Sequence, residues 1–217
     1  MNSEKDIAVE TAKNLLQINA IKLNPGNPFT WASGLRSPIY CDNRRIWSFH
    51  DIRVFVADSL VSVINRHYPN AELIAGVATG AIAPGVLVAE RMKLPFVYVR
   101  STPKAHGLGA QVEGYAPEGS KTVVVEDLIS TAKSSLSAYR ALKNSGLDVL
   151  GMAAIFTYDL DVARNNLEQA GCPLVTLSNY HTLIEVAQTQ KIVSTEQLTQ
   201  LQTWRKNPDA WSEAAIF

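Results

Sequence analysis

The sequence contains only two cysteines, Cys41 and Cys172, which lie far apart and without metal-ligand spacing. This scarcity excludes a disulfide-rich secreted scaffold and indicates reduced thiols that pack without reacting. No run of about 18 apolar residues occurs, and the N-terminus has no apolar signal segment. We therefore expect a cytoplasmic protein that does not bind membranes.

An excess of charge is also missing, because 20 Lys and Arg residues balance 20 Asp and Glu residues. A formally neutral chain gives no electrostatic reason to expect a nucleic-acid partner. A small anionic ligand stays compatible with this balance, since a local pocket needs only a few cations.

Apolar runs and amphipathic segments alternate along most of the chain. The periodicity predicts helices over residues 5–21, 49–66, 82–92, 134–144 and 159–170. Residues 194–211 are predicted to form a helix followed by an end that a tryptophan anchors. It predicts strands over residues 72–78, 95–100, 122–125, 148–158 and 173–177. Residues 29–43 are rich in aromatic residues and turn formers, and they predict short strands or a hairpin in a subdomain that covers a ligand.

Nearly continuous apolar strands separated by helices indicate an α/β fold, with a central, mostly parallel sheet flanked by helices. We predict what is effectively one domain in three parts. These are an N-terminal helix and hood at residues 1–48, a core at 49–190, and a C-terminal helix and tail at 191–217.

The most informative segment is KTVVVEDLISTAKSSL, residues 121–136. A buried strand ends in Glu126 and Asp127, passes through a hydroxyl-rich turn and enters a helix. Ligands of open parallel sheets bind outside the carboxyl ends of the strands. The turn at residues 130–135 offers backbone N–H groups and the positive end of a helix dipole, which suits a phosphate monoester. Carboxylates beside it accept hydrogen bonds from sugar hydroxyls and can hold a hydrated Mg²⁺, so a ribose phosphate is predicted.

The alternative interpretation of this segment is an ordinary helix N-cap with acids nearby. A Walker A phosphate loop is excluded, because both glycines that it requires are missing.

A second segment, RSTPKAHGLGAQVEG at residues 100–114, is polar, glycine-bearing and placed between two strands. Such a loop can close over a ligand and exclude water, and cations such as Lys104 and His106 would neutralise a diphosphate. The alternative is an exposed connection with scattered charges. In residues 75–85, AGVATGAIAPG, small residues would let N–H groups approach a pyrophosphate, although close packing explains them equally well.

These motifs resemble those of type I phosphoribosyltransferases, which use 5-phosphoribosyl-1-diphosphate (PRPP). VVVEDLIST resembles their PRPP-binding signature, and FTWASG…SPIYCDNR resembles the orotate phosphoribosyltransferases of that family. The resemblance covers nearly the whole chain. It implies the type I phosphoribosyltransferase fold and the transfer of phosphoribosyl from PRPP to orotate, giving orotidine 5'-monophosphate and pyrophosphate in pyrimidine biosynthesis. It also implies Mg²⁺ carried on PRPP without direct protein ligands, and a homodimer with shared sites.

The resemblance assigns roles to individual residues. Lys104 and His106 are implied as catalytic, as the principal cation at the leaving diphosphate and a hydrogen-bond donor to it. Orotate binding is implied for Ser130, Tyr40 and Cys41. PRPP binding is implied for Arg100, Lys104, His106, Glu126, Asp127, Leu128, Ile129, Ser130, Thr131, Ala132, Lys133 and Ser134.

The phosphate turn departs from the family pattern, since Ala132 and Lys133 stand where two glycines are usual. If both positions need positive φ, each substitution costs about 1 kcal/mol. Otherwise the turn stays right-handed, and Lys133 adds charge near the phosphate or points to solvent.

The predicted site also has fewer cations than that of some family members, which carry lysines where Ala32, Gly80 and Ser101 stand. Arg44 and Arg45 are candidates for binding the carboxylate of orotate, with ordinary surface arginines as the alternative.

Other functions stay open at this point. The chain could transfer phosphoribosyl to another base, against which the orotate-like hood argues. It could be a PRPP-sensing regulator that binds nucleic acid, or an inactive paralogue. Neutral charge and an intact Lys104 and His106 loop count against the regulator.

Overall fold

The computed structural model describes residues 3–31, 33–100 and 111–214. Small elements come first: helix α1 (Glu4–Gln17), strands β1 (Ile21–Leu23), β2 (Phe29–Thr30), β3 (Arg36–Ser37) and β4 (Ile39–Cys41), and a 3-10 helix (Asn43–Ser48). Strand β1 pairs with β4, and β2 with β3, both antiparallel. We call residues 21–48 the hood.

A six-stranded sheet follows, in the order β10-β9-β8-β5-β6-β7. Its strands are β5 (Leu73–Val77), β6 (Phe96–Val99), β7 (Val112–Glu113), β8 (Lys121–Ile129), β9 (Asp148–Thr157) and β10 (Leu174–Asn179). Only β7 is antiparallel to its neighbour within this sheet. The predicted α/β class with a mostly parallel sheet is confirmed.

The remaining helices are α2 (His50–His67), α3 (Ile82–Met92), α4 (Lys133–Asn144), α5 (Asp161–Gln169), α6 (Tyr180–Thr189), α7 (Thr195–Lys206) and α8 (Pro208–Ala214). From β5 the chain crosses to β6, and from β8 it crosses to β9 in the opposite direction. Right-handed crossovers therefore place α3 and α4 on opposite faces. The direction changes between β5 and β8, where a crevice opens at the carboxyl ends of the strands.

The central strands are apolar because both of their faces are covered. All five residues of β5 are buried, as are Val123, Val124 and Val125 of β8. This burial explains why these strands have no alternating polar residues. Among the described residues, no helix is long and apolar enough to cross a membrane.

Several predicted boundaries were wrong. Strand β8 continues past Val125 to Ile129, because its parallel pairing with β9 extends to the pair Ile129 and Thr157. The first helix ends at Gln17, since Asn19 takes a left-handed conformation and Ile21 begins a strand. The predicted C-terminal helix is divided in two at Pro208.

Four elements were not predicted: strand β1, the 3-10 helix, the short edge strand β7 and helix α6. Helix α6 carried a readable signal, because Asn179 caps it by accepting a hydrogen bond from the Thr182 N–H. The apolar residues Leu183, Ile184 and Val186 then follow at helical spacing. The proposed division into hood, core and tail stays a prediction.

Candidate active site

The crevice between β5 and β8 brings two predicted segments together. The turn after β5 contains Gly80, and a Cβ atom added there would lie 2.2 Å from the Oδ2 atom of Asp127. The backbone of this turn therefore approaches the carboxylate closely, and a side chain at Gly80 would displace it. The small-residue turn and the acid pair form one site.

The two acids of the predicted pair point to opposite faces of β8, as adjacent strand residues do. Glu126 is 4% exposed and accepts hydrogen bonds from the Ser135 hydroxyl at 2.8 Å and from the Asp127 N–H at 3.0 Å. Burial, reinforced by the charge of Asp127, raises the pKa of Glu126 well above its ordinary value. Asp127 is only half-buried and is the acid that faces the crevice.

The turn after β8 leads directly into α4. Ala132 is buried and left-handed, with φ of 61°, and Lys133 begins the right-handed helix. Only the first of the two glycine-replacing residues therefore takes positive φ. The first N–H groups of an α-helix have no acceptor within the helix. With an alanine at the N-cap they stay available to an anion, while Asn166 holds the Thr131 carbonyl at 3.0 Å.

The remaining predicted PRPP residues differ in what they can offer. The side chain of Ile129 is buried, and Leu128 is half-buried. The hydroxyls of Ser130 and Thr131 are half-buried, and Ser134 is exposed at the start of α4. The groups that this turn can offer to a ligand are therefore mainly backbone N–H groups and side-chain hydroxyls.

Arg100 lies at the end of β6, where the segment of residues 101–110 begins. Its backbone N–H donates to the Gln111 carbonyl at 2.9 Å, and the side-chain amide of Gln111 donates to the Arg100 carbonyl at 2.8 Å. The Arg100 guanidinium contacts Glu113 at 3.3 Å. Lys104 and His106 fall outside the described residues, so their predicted roles stay predictions.

The hood is joined to the acid pair by Asn43, a residue that the sequence reasoning missed. This side chain is 2% exposed, and its amide donates to the Asp127 carbonyl at 2.6 Å. The Cys41 thiol donates to the Asn43 side-chain oxygen at 3.3 Å. Burial raises the pKa of Cys41 well above its ordinary value, and that of Cys172 to about 11, which favours the protonated thiol at both positions.

The aromatic residues of the hood follow the same edge of the sheet. Tyr40 is 40% exposed and packs against Phe29 with the ring centroids 5.7 Å apart. Trp31 stacks on Tyr158, which follows β9, at 5.2 Å. The fully buried Trp204 of α7 lies against both Trp31 and Tyr158, so the C-terminal helices hold the hood on the sheet.

Further contacts join the C-terminal helices to this edge. The Ser212 hydroxyl of α8 accepts a hydrogen bond from the Arg36 N–H at 2.8 Å. Arg205 of α7 donates to the Asp159 carbonyl at 2.5 Å. A cleft of about 960 Å³ lies between these helices, the hood and the phosphate turn, and its lining includes Trp31, Leu35, Ser130, Thr131, Lys133 and Ser212.

The two arginines proposed for orotate have different positions. The Nε of Arg45 donates to the Ile18 carbonyl at 2.9 Å, which ties the hood to the end of α1. The side chain of Arg44 is 66% exposed, and its Nε donates to Asp42 at 2.6 Å. The Asp42 hydrogen bond, together with smaller effects of Tyr40 and Asp127, raises the pKa of Arg44. Arg44 follows Asn43 in the chain, so its backbone lies beside the Asp127 carbonyl that Asn43 binds.

Comparison with known proteins identifies the family. The phosphoribosyl transferase domain family matches residues 49–184. An orotate phosphoribosyltransferase of Cytophaga hutchinsonii is 49% identical over 98% of this chain and 100% of its own length. One from Porphyromonas gingivalis is 51% identical over 92% of this chain and 95% of its own. The chain belongs to the orotate phosphoribosyltransferase family.

A solved structure agrees with this membership. The crystal structure of an orotate phosphoribosyltransferase from Aeropyrum pernix matches with a TM-score of 0.71 and 28% identity, over 84% of this chain and 99% of that one. The predicted family and the type I phosphoribosyltransferase fold are confirmed. Within residues 3–31, 33–100 and 111–214, no group of three or more His, Cys, Asp or Glu side chains could hold a metal ion.

Proposed function

We propose that this chain is a pentosyltransferase that transfers the 5-phosphoribosyl group from PRPP to orotate, in pyrimidine biosynthesis. The observation that carries the proposal is the meeting of Asp127, the Gly80 turn and the phosphate turn in the crevice between β5 and β8. In a member of the orotate phosphoribosyltransferase family, such a site suits a ribose bearing a phosphate and a diphosphate.

The described residues divide the binding of PRPP among them. The 5'-phosphate binds the N–H groups and hydroxyls of residues 130–134, at the positive end of α4. Asp127 accepts hydrogen bonds from the ribose hydroxyls. Glu126, which was predicted for the same role, is buried and positions the start of α4 through Ser135. The diphosphate lies over the Gly80 turn and near Arg100.

A ring nitrogen of orotate forms a bond to the anomeric carbon while the bond from that carbon to the diphosphate oxygen breaks. The proton of the ring N–H passes to the pyrophosphate, which leaves. The sugar becomes cationic in the transition state, so catalysis comes from stabilising the leaving group and positioning the base. Lys104 is the principal cation at the diphosphate, and His106 donates a hydrogen bond to it. No protein nucleophile is needed.

Mg²⁺ fits this site as a hydrated ion carried by the substrate, because the half-buried carboxylate of Asp127 faces the crevice. When bound, it supplies Lewis-acid stabilisation of the diphosphate. Asp127 would hold it through water.

The resemblance to family members also supports a homodimer with shared sites, and the two free cysteines are compatible with a cytoplasmic location. In this arrangement residues 101–110 of one subunit complete the site of the other.

The test is the loss of the near-ultraviolet absorbance of orotate after PRPP and Mg²⁺ are added, with uracil and hypoxanthine as alternative bases. We expect consumption of orotate that requires Mg²⁺ and falls at least 100-fold, about 2.7 kcal/mol, in Lys104→Ala. Turnover of another base instead would indicate a phosphoribosyltransferase for that base. PRPP binding without any turnover would indicate the regulator or the inactive paralogue.

A further inference from the structure

Within the part of the chain that the structure describes, Arg44 of the hood has no hydrogen-bond partner outside its own turn. Asn43 fixes this turn on β8, because its amide donates to the Asp127 carbonyl at 2.6 Å. Arg44 is the next residue, so its backbone position relative to Asp127 is set by that hydrogen bond. Its exposed side chain begins at the edge of the crevice and is directed by Asp42.

The other arginines around this edge have structural partners. Arg45 binds the Ile18 carbonyl, Arg205 binds the Asp159 carbonyl, and Arg100 contacts Glu113. Arg44 uses only its Nε and backbone N–H, both toward Asp42. Among the residues that the structure describes, no acceptor contacts the two terminal nitrogens of its guanidinium.

A guanidinium with both terminal nitrogens available matches the geometry of a carboxylate, to which it donates two parallel hydrogen bonds. Asp42 neutralises part of the charge and restricts the rotamers of Arg44, which reduces the entropy lost when a ligand binds. The adjacent pair of Tyr40 and Phe29 offers ring faces for a flat heterocycle.

We propose that Arg44 is the specificity-determining residue that binds the carboxylate of the pyrimidine base. This inference rests on the proposed function and deepens it, since orotate differs from uracil only by that carboxylate.

The experiment compares two nucleotides that differ only in the carboxylate, orotidine 5'-monophosphate and uridine 5'-monophosphate. Their dissociation constants are measured by calorimetry for the wild type and for Arg44→Gln. We expect Arg44→Gln to raise the dissociation constant of orotidine monophosphate by about 10- to 100-fold, because hydrogen bonds between charged groups are lost. The dissociation constant of uridine monophosphate should change by less than about twofold. Arg44→Lys keeps the positive charge but cannot donate two parallel hydrogen bonds, so it should lose an intermediate amount of affinity for orotidine monophosphate.

Arg45→Gln is the matched control, because it removes the neighbouring arginine and a contact with Ile18. It should leave the ratio of the two affinities unchanged. The assignment would be overturned if Arg44→Gln weakened the binding of both nucleotides equally or of neither. It would also be overturned if calorimetry with PRPP showed that this variant loses affinity for PRPP alone. Turnover of orotate by the wild type tests the proposed function separately, so a failure of one can be told from a failure of the other.

Discussion

The two halves of the crevice are built in different ways. The core half, with Asp127 and the phosphate turn, belongs to one continuous segment whose backbone is fixed by β9 and α4. The hood half is held by side chains from distant parts of the chain. Asn43 reaches β8, and Trp31 packs against Trp204 of α7.

This difference separates the two substrates of the proposed reaction. PRPP would bind mostly to the core half, whose geometry depends on the pairing of β8 with β9 and on the start of α4. Orotate would bind against the hood, whose position depends on the C-terminal helices. Changes in those helices should therefore alter orotate binding more than PRPP binding.

The largest effect is expected for Trp204→Ala, because Trp204 is fully buried between the hood and the sheet. We expect the free energy of unfolding in urea to fall by about 3–5 kcal/mol. Trp211→Ala, at a half-buried position of α8, is the control, and its free energy of unfolding should fall by less. If the folded Trp204→Ala protein lost PRPP affinity as strongly as orotate affinity, the separation of the two halves would be wrong.

A second effect concerns pH and the core half. The pKa of Glu126 is raised in the folded chain, so the folded state keeps this proton to higher pH than the unfolded state. The resulting stability is complete below the unfolded-state pKa of about 4.3 and is lost as pH rises through the folded-state pKa. Glu126→Gln cannot ionise, so its stability relative to the wild type should increase with pH. Parallel pH profiles from urea unfolding of the two proteins would contradict this account.

The smallest effect distinguishes two adjacent residues of the phosphate turn. Ala132 is left-handed and Lys133 is helical. Ala132→Gly should therefore raise the free energy of unfolding by up to about 1 kcal/mol, whereas Lys133→Gly should lower it by a similar amount at most. Thermal unfolding measures both. Shifts of the same sign would show that the turn has another conformation.

The same contrast explains what the sequence could predict. Strand β8 and helix α4 could be recognised because a buried apolar run and a helical period are local signals. The end of β8 could not, since Glu126 and Asp127 are held in the strand by pairing with β9. Composition alone also could not decide which of Ala132 and Lys133 would be left-handed.

The hood could be predicted to exist, but its attachment could not. The hydrogen bond from Asn43 to Asp127 and that from Arg36 to Ser212 join residues far apart in the chain, and no local pattern encodes such pairs. Asn43 lay within the quoted CDNR motif, yet nothing in one sequence indicates that its amide faces a strand carbonyl.

The contact between Trp31 and Trp204 has an optical consequence. The two indole rings lie 5.8 Å apart at an angle of 76°, close enough for their electronic transitions to couple. One chromophore belongs to the hood and the other to α7. The ultraviolet circular dichroism of the unlabelled protein therefore depends on the angle between them, and it reports any rotation of the hood.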